Sequence, residues 1–240
     1  MKRLGILGGM GPAAAIDLQQ KILSLTPAES DQGHLPVVVW NVPQIPERTP
    51  AIQGNAPSPL PAMLQGVQAL SEMGAEVIVI ACNTAHHWHE SLQQSTRVPI
   101  LHIADAVHQA ITEHATGSIS QVGLMATPGT ILSGFYAQRL ARLGIAVMLP
   151  LESEQQSLTQ AIVLIKAGRF DQAAALIEEV AVALAARGAE RLIMGCTELP
   201  LVLSRLRRSD LVVDATLELA RQAVRSCLQQ QAPLTRASTA

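Results

Sequence analysis

The sequence predicts an α/β protein of two similar doubly wound parallel-sheet domains, related by pseudo-twofold symmetry, with a cleft between them. Three observations predict it. Apolar strand-like runs alternate with helix-like stretches, the pattern of right-handed βαβ units. The pattern restarts midway: Val122-Gly123-Leu124-Met125-Ala126-Thr127-Pro128-Gly129 resembles Leu4-Gly5-Ile6-Leu7-Gly8-Gly9-Met10-Gly11. Finally, Gly74-Ala75-Glu76 leads through an apolar strand to Cys82, and Gly188-Ala189-Glu190 leads through another to Cys196, with a glycine-to-cysteine spacing of eight residues both times. Repetition on this scale implies duplication.

Taken in order, Leu4 to Leu7 reads as a buried strand entering a glycine turn at 8–11. Ala13 to Leu25 has helical composition, and Pro36 to Trp40 is a second strand. The stretch from Asn41 to Pro61 carries prolines at 43, 46, 50, 57, 59 and 61 and is expected to be an irregular, mobile lid, since loops of that length are usually functional or disordered. A helix over 62–73, a strand over 76–81, a helix over 86–94 and a short strand at 99–102 complete the first half. The second half offers strands at 122–126 and 144–149, helices over 153–167 and 171–187, and the strand before Cys196. A last strand at 211–213 and a helix over 216–230 echo residues 99–114 and are expected to pack back on the first half. The expected domains are therefore 1–103 plus 210–240, carrying Cys82, and 104–209, carrying Cys196. The tail from Gln231 is expected to be loose.

Composition narrows the function. Hydrophobic residues make up 48% and aromatics only 2%, so Leu, Ile, Val and Ala must fill the core. A formal net charge of -2 speaks against nucleic acid as a partner, because phosphate binding needs a basic surface. No apolar run approaches the ~20 residues that span a bilayer. The N-terminal segment, broken by glycines, does not read as a signal peptide. Three cysteines without CxxC spacing make neither a disulfide framework nor a zinc site, which sets a reducing, cytoplasmic location as the expectation.

In open α/β sheets, ligands bind beyond the carboxyl ends of the strands. Cys82 and Cys196 both fall at such ends, each followed within two residues by a threonine, Thr84 or Thr197. If the halves face each other, the thiols approach one cleft from opposite sides. A thiolate whose pKa is lowered, as by a helix N-terminus, is a plausible base, and the facing thiol its matching acid. That pairing suits removal of a proton from one face of a carbon and its return to the other. Cys227 lies outside the repeat and reads as a core residue.

The segments Gly8-Gly9-Met10-Gly11-Pro12, Ala81-Cys82-Asn83-Thr84-Ala85-His86 and Gly195-Cys196-Thr197-Glu198 resemble the signatures of the aspartate/glutamate racemase superfamily, closest to its aspartate branch. The match spans nearly the whole chain, in order. The resemblance implies a flavodoxin-like fold for each half, catalysis by Cys82 and Cys196 without a cofactor, and a homodimer acting on an acidic amino acid. Glutamate racemases usually carry Asp-Ser in the first glycine loop; Gly9-Met10 stands here, which places Met10 in the substrate site. Pro43-Gln44-Ile45-Pro46-Glu47-Arg48-Thr49 resembles the branch's substrate loop, whose arginine binds the side-chain carboxylate, and Lys166 resembles a lysine of related role. A dicarboxylate needs such cations. Taken alone, Arg48 would read as a solvated surface residue and Lys166 as a helix C-terminal lysine. Asn83, Thr84, Thr127 and Thr197 are the expected neutral donors to the α-carboxylate and ammonium groups, although such residues also favour helix caps. Glu198 either accepts from the ammonium group or holds the thiol proton; both roles stay open.

Other features carry less. His86-His87-Trp88-His89 invites a metal reading, but helix geometry does not put all three histidines on one face. The GxGxxG dinucleotide spacing is absent, and no lysine motif suggests pyridoxal phosphate. The expected activity is interconversion of L- and D-aspartate. The alternatives are racemisation of glutamate or a broader set, a maleate isomerase or decarboxylase-like activity, and a non-catalytic dicarboxylate-binding protein.

Overall fold

The computed structural model describes residues 1–114 and 119–228. Residues 229–240, which include the end of the expected last helix and the tail, lie outside the described residues. Two parallel sheets are present, as the alternating pattern predicts. In the first half the elements are β1 (Leu4–Gly8), α1 (Pro12–Leu25), β2 (Val37–Asn41), α2 (Arg48–Ile52), α3 (Leu60–Glu72), β3 (Val77–Ile80), α4 (His89–Gln94) and α5 (Ile103–His114). The second half contributes β4 (Gln121–Ala126), α6 (Pro128–Ser133), α7 (Phe135–Ala141), β5 (Ala146–Met148), α8 (Glu152–Lys166), α9 (Phe170–Ala186), β6 (Arg191–Gly195), β7 (Val212–Asp214) and α10 (Ala215–Leu228).

The strand orders are β2-β1-β3 and β5-β4-β6-β7. They are the same order once Ile100 is counted beside β3, where it forms a single parallel bridge with Ile78. The expected strand at 99–102 shrinks to that bridge for two reasons. Pro99 has no N–H to give, and His102 already serves α5, its Nδ1 accepting from the Ala104 N–H at 3.1 Å. Strands β1 and β3 are buried along their whole length, so they are apolar at every position rather than alternating.

The repeated Gly-Ala-Glu has one structural meaning in both halves. Gly74 and Gly188 end α3 and α9 with φ of 79° and 102°, a conformation that favours glycine. The following alanine N–H then returns to the helix, Ala75 to the Leu70 carbonyl and Ala189 to that of Leu184. The glutamate ties the neighbouring strand's start: Glu76 accepts from the Arg3 N–H at 2.9 Å, and Glu190 from the Ser120 N–H at 2.7 Å.

The two helices that follow the sheets cross between the halves. Helix α10 packs on α1 and α5, and α5 packs on α7. They enclose a shared apolar core running from Leu4, Ile6 and Val79 to Leu124, Tyr136 and Leu219. Separate cores fill the outer side of each half. The chain from residue 210 was expected to return to the first half, and here the expectation needs correction. Helix α10 does reach α1, but β7 pairs with β6 in the second sheet, Ile193 opposite Val213. Val212 and Val213 are apolar and lie along the β6 edge, so a boundary at 210 cuts through a sheet.

The stretch from Asn41 to Pro61 is not wholly irregular. Its α2 packs on α6 and so joins the first half to the second. The contact is close: a Cβ on Gly129 would lie 2.7 Å from Thr49 Oγ1 and 2.8 Å from Thr84 Cγ2.

Candidate active site

A cavity of about 380 Å³ opens between the halves at the carboxyl ends of the strands. All ten residues expected at the site line it: Met10, Arg48, Cys82, Asn83, Thr84, Thr127, Lys166, Cys196, Thr197 and Glu198. Cys82 follows β3 and Cys196 follows β6, so each half delivers one thiol from the same place in its sheet. Both are free and buried.

The two thiols differ in their surroundings. Burial pushes Cys82 up from the usual thiol range, while the Arg48 guanidinium beside it pulls the other way. Burial raises Cys196 further, and Glu198 adds to the rise. The Cys196 thiol donates to Glu198 Oε2 at 3.0 Å. The lowered thiol pKa expected from helix N-termini is therefore corrected. The segments after the cysteines, Thr84–Trp88 and Leu199–Arg205, are 3₁₀ helices rather than α-helices, and the loss of water around the sulfur outweighs what they supply. A high-pKa thiolate is also the stronger base.

Arg48 is held by backbone. Its Nη1 donates to the Ile45 and Pro46 carbonyls at 3.2 and 3.0 Å, and its Nη2 to the Met10 carbonyl at 3.1 Å. Nε is buried without a partner among the described residues. Lys166, in the last turn of α8, is exposed at the cavity rim. Thr84 bridges the halves, its Oγ1 lying 2.8 Å from Thr127 Oγ1 and 2.9 Å from Thr130 Oγ1. Thr127 also caps α6 by accepting from the Thr130 N–H at 3.1 Å; capping and cavity lining coexist in one side chain. Glu198 Oε2 is engaged by the thiol, whereas Oε1 is buried and unpartnered among the described residues.

Sequence reasoning missed several lining residues. Thr159, Ile162 and Val163 lie at helical spacing with Lys166 and bring one face of α8 to the cavity. That spacing is visible in the sequence but reads equally well as core. Glu47, Thr49, Pro50 and Gln53 come from the proline-rich stretch around α2. Tyr136, buried on α7, donates to Asn83 Oδ1 at 2.6 Å, and nothing in its sequence context marked it.

His86, His89 and His102 form one packed group, with ring centroids 4.8 to 6.2 Å apart. His86 Nδ1 contacts the Cys82 carbonyl at 2.8 Å and His89 Nε2 the Ile100 carbonyl at 2.7 Å. His87 turns away to Ser133 Oγ, 3.1 Å from its Nδ1. Among the described residues no group of three or more His, Cys, Asp or Glu side chains is placed to hold a metal ion. No helix among them is long and apolar enough to cross a membrane.

Fold and site together define a class: a two-domain α/β protein with a paired-thiol cavity at the seam of a duplicated sheet. The chain belongs to the Asp/Glu/hydantoin racemase family, whose model matches residues 7–223. Among solved structures it is similar to the aspartate racemase of Picrophilus torridus, with 30% identity, a TM-score of 0.82 and coverage of 95% of this chain and 94% of that one. Among curated proteins it is 27% identical over 232 residues to a broad specificity amino-acid racemase of Bacillus subtilis, covering 95% of this chain and 99% of the relative. It is also 31% identical over 150 residues to a glutamate racemase of Deinococcus radiodurans, covering 60% of this chain and 49% of that one.

Proposed function

We propose that this racemase-family protein interconverts L- and D-aspartate by a two-base mechanism that uses Cys82 and Cys196 and no cofactor. The observation that carries the reading is the arrival of one thiol from each half at a single cavity, with contrasting neighbours. One cysteine thiolate takes the α-proton while the other thiol gives its proton to the opposite face of the same carbon. Arg48 favours the charged form of Cys82, and Glu198 keeps the proton on Cys196. By resemblance, Cys196 serves the L-enantiomer and Cys82 the D-enantiomer. Asn83, Thr84, Thr127 and Thr197 supply neutral groups for the α-carboxylate and ammonium, and donors aimed at the carboxylate stabilise the negative charge that develops on it. Arg48 and Lys166 answer the side-chain carboxylate, and Met10 closes the wall beside Arg48. Glu198 Oε1 is available to the ammonium group. The protein acts as a cytoplasmic homodimer in the same proposal; sedimentation at micromolar concentration tests the dimer.

Incubating the pure protein with a panel of L-amino acids, followed by chiral analysis, tests the activity. Aspartate should racemise fastest. Failure of every acidic amino acid to racemise removes the reading.

A second reading, broader specificity, has its own observation. A further cavity of about 340 Å³ adjoins the first and shares Glu47, Arg48, Lys166 and Glu198 with it. Its other walls include Ile45, Ile165, Phe170 and Leu201, so an apolar side chain would find room past the cations. Turnover of methionine or leucine at a rate near that of aspartate favours this reading.

A further inference from the structure

Asn83 lines the cavity from the first half, and the amide is buried. Its two ends are treated differently. Oδ1 accepts from the Tyr136 hydroxyl at 2.6 Å, across the seam between the halves. Nδ2 has no hydrogen-bond partner among the described residues. A buried amide N–H₂ without a partner costs free energy unless something else meets it.

We infer that Tyr136 is a positioning residue that holds the Asn83 amide with Oδ1 outward to the phenol and N–H₂ available to the substrate α-carboxylate. This inference rests on the proposed function and names one device within that site. An amide has two orientations of similar shape and opposite hydrogen-bonding character. With the phenol donating to Oδ1, the end left for the cavity is a donor, which suits an anion. In the flipped amide, Oδ1 would face that anion with a lone pair.

The surroundings of Tyr136 fit the task. The side chain is 1% exposed, and its ring packs against Phe135 with centroids 5.0 Å apart, so the hydroxyl cannot swing to water. Burial pushes the phenol above its usual range, which keeps the O–H as a donor at every working pH. The neighbouring bridge of Thr84 to Thr127 and Thr130 crosses the same seam. The orientation of Asn83 in one half is thus set from the other half, and the donor is presented only when the halves are joined.

The test is Tyr136→Phe, which keeps the ring and deletes the hydroxyl. The expected result is a rise of about tenfold or more in KM for aspartate, as for loss of one charge-assisted hydrogen bond, with kcat changed less. Succinate affinity measured by calorimetry should fall by a similar factor. Calorimetry needs no turnover, so it tests Tyr136 even if racemisation itself fails. Adding Tyr136→Phe to Asn83→Ala should cause no further loss, because the group it orients is gone. A purely structural role would lower thermal stability in both backgrounds and leave KM and succinate affinity unmoved. Should Tyr136→Phe not fold, Asn83→Asp decides the same point. Its inward oxygen would repel the anion, so succinate should bind more weakly than to Asn83→Ala. Wild-type KM and affinity in Tyr136→Phe, an equal further loss in the double variant, or tighter binding by Asn83→Asp than by Asn83→Ala overturns the inference.

Discussion

The Cys196 thiol donates to Glu198 Oε2 at 3.0 Å inside the protein, two residues along the same turn. Cys82 instead has the Arg48 cation beside it, which opposes the rise from burial, while Glu198 acts on it only at a distance, with no hydrogen bond between them among the described residues. The carboxylate holds the proton on one sulfur, and the guanidinium favours its loss from the other. Replacing Glu198 by glutamine keeps the shape and removes the charge. Glu198→Gln should let Cys196 ionise at lower pH, so iodoacetamide should label it faster at pH 8 than in the wild type, by about tenfold for each pKa unit recovered. Racemisation should fall about tenfold or more, equally in both directions. An unchanged labelling rate would show that Glu198 does not govern this thiol.

Cys82→Ala and Cys196→Ala should each abolish racemisation, with losses at or above the hundred- to ten-thousand-fold typical of a deleted general acid or base. In D₂O the wild type should place deuterium at the α-carbon of the product enantiomer. Each alanine variant should still wash deuterium into one enantiomer with retention, and the two variants should prefer opposite enantiomers. Wild-type racemisation by either variant would end the two-thiol mechanism. Cys227, buried on α10 and in contact with neither thiol's cavity, should be replaceable by alanine without kinetic effect.

Lys166 is exposed at the rim, so Lys166→Ala should leave thermal stability close to that of the wild type. Its effect should appear as weaker turnover of aspartate, about 1.5–3 kcal/mol in kcat/KM for a lost charged contact. Arg48→Ala should cost as much in activity and also loosen the chain around α2, because the guanidinium ties the Met10, Ile45 and Pro46 carbonyls together. Faster proteolysis between residues 41 and 61 in that variant would report the loosening. If both variants turn over aspartate like the wild type, the side-chain carboxylate lies elsewhere.

The histidine cluster makes stability pH-dependent. Burial lowers His86 to about 3 and pushes His102 down as well. An unfolded histidine titrates near 6.5. Between those values the unfolded chain binds more protons than the folded one, so stability is complete above about pH 6.5 and is lost as pH falls toward 3. The urea midpoint should therefore drop on going from pH 7 to pH 4. His102→Asn keeps an acceptor for the Ala104 N–H and removes one titrating ring, so its midpoint should fall less steeply. A slope equal to the wild type's would mean that His102 contributes nothing to acid unfolding.

The sequence by itself determined the duplicated α/β plan and the two cysteines at equivalent strand ends, because both are encoded locally, whereas Met10, Arg48 and Lys166 were legible only through the family resemblance. A glycine with positive φ, an alanine that folds under the helix and a glutamate that ties the next strand need only three consecutive residues, and Gly74-Ala75-Glu76 and Gly188-Ala189-Glu190 spell the same device twice. An apolar run beside each then carries Cys82 and Cys196 to equivalent strand ends. Only the tertiary structure decided what depends on distant partners. The strand at 212–214 joined β6 and not the first sheet, a pairing set by where the packed helices bring the chain rather than by its own three residues. The thiols rose rather than fell because burial is a property of the whole fold, and no local pattern reports how much water a sulfur loses. Tyr136 meets Asn83 from 53 positions along the chain, and Thr84 meets Thr127 from 43. Hydrogen bonds across a seam leave no period or spacing in a sequence, since each side chain is set by its own helix and the contact exists only once the two halves pack.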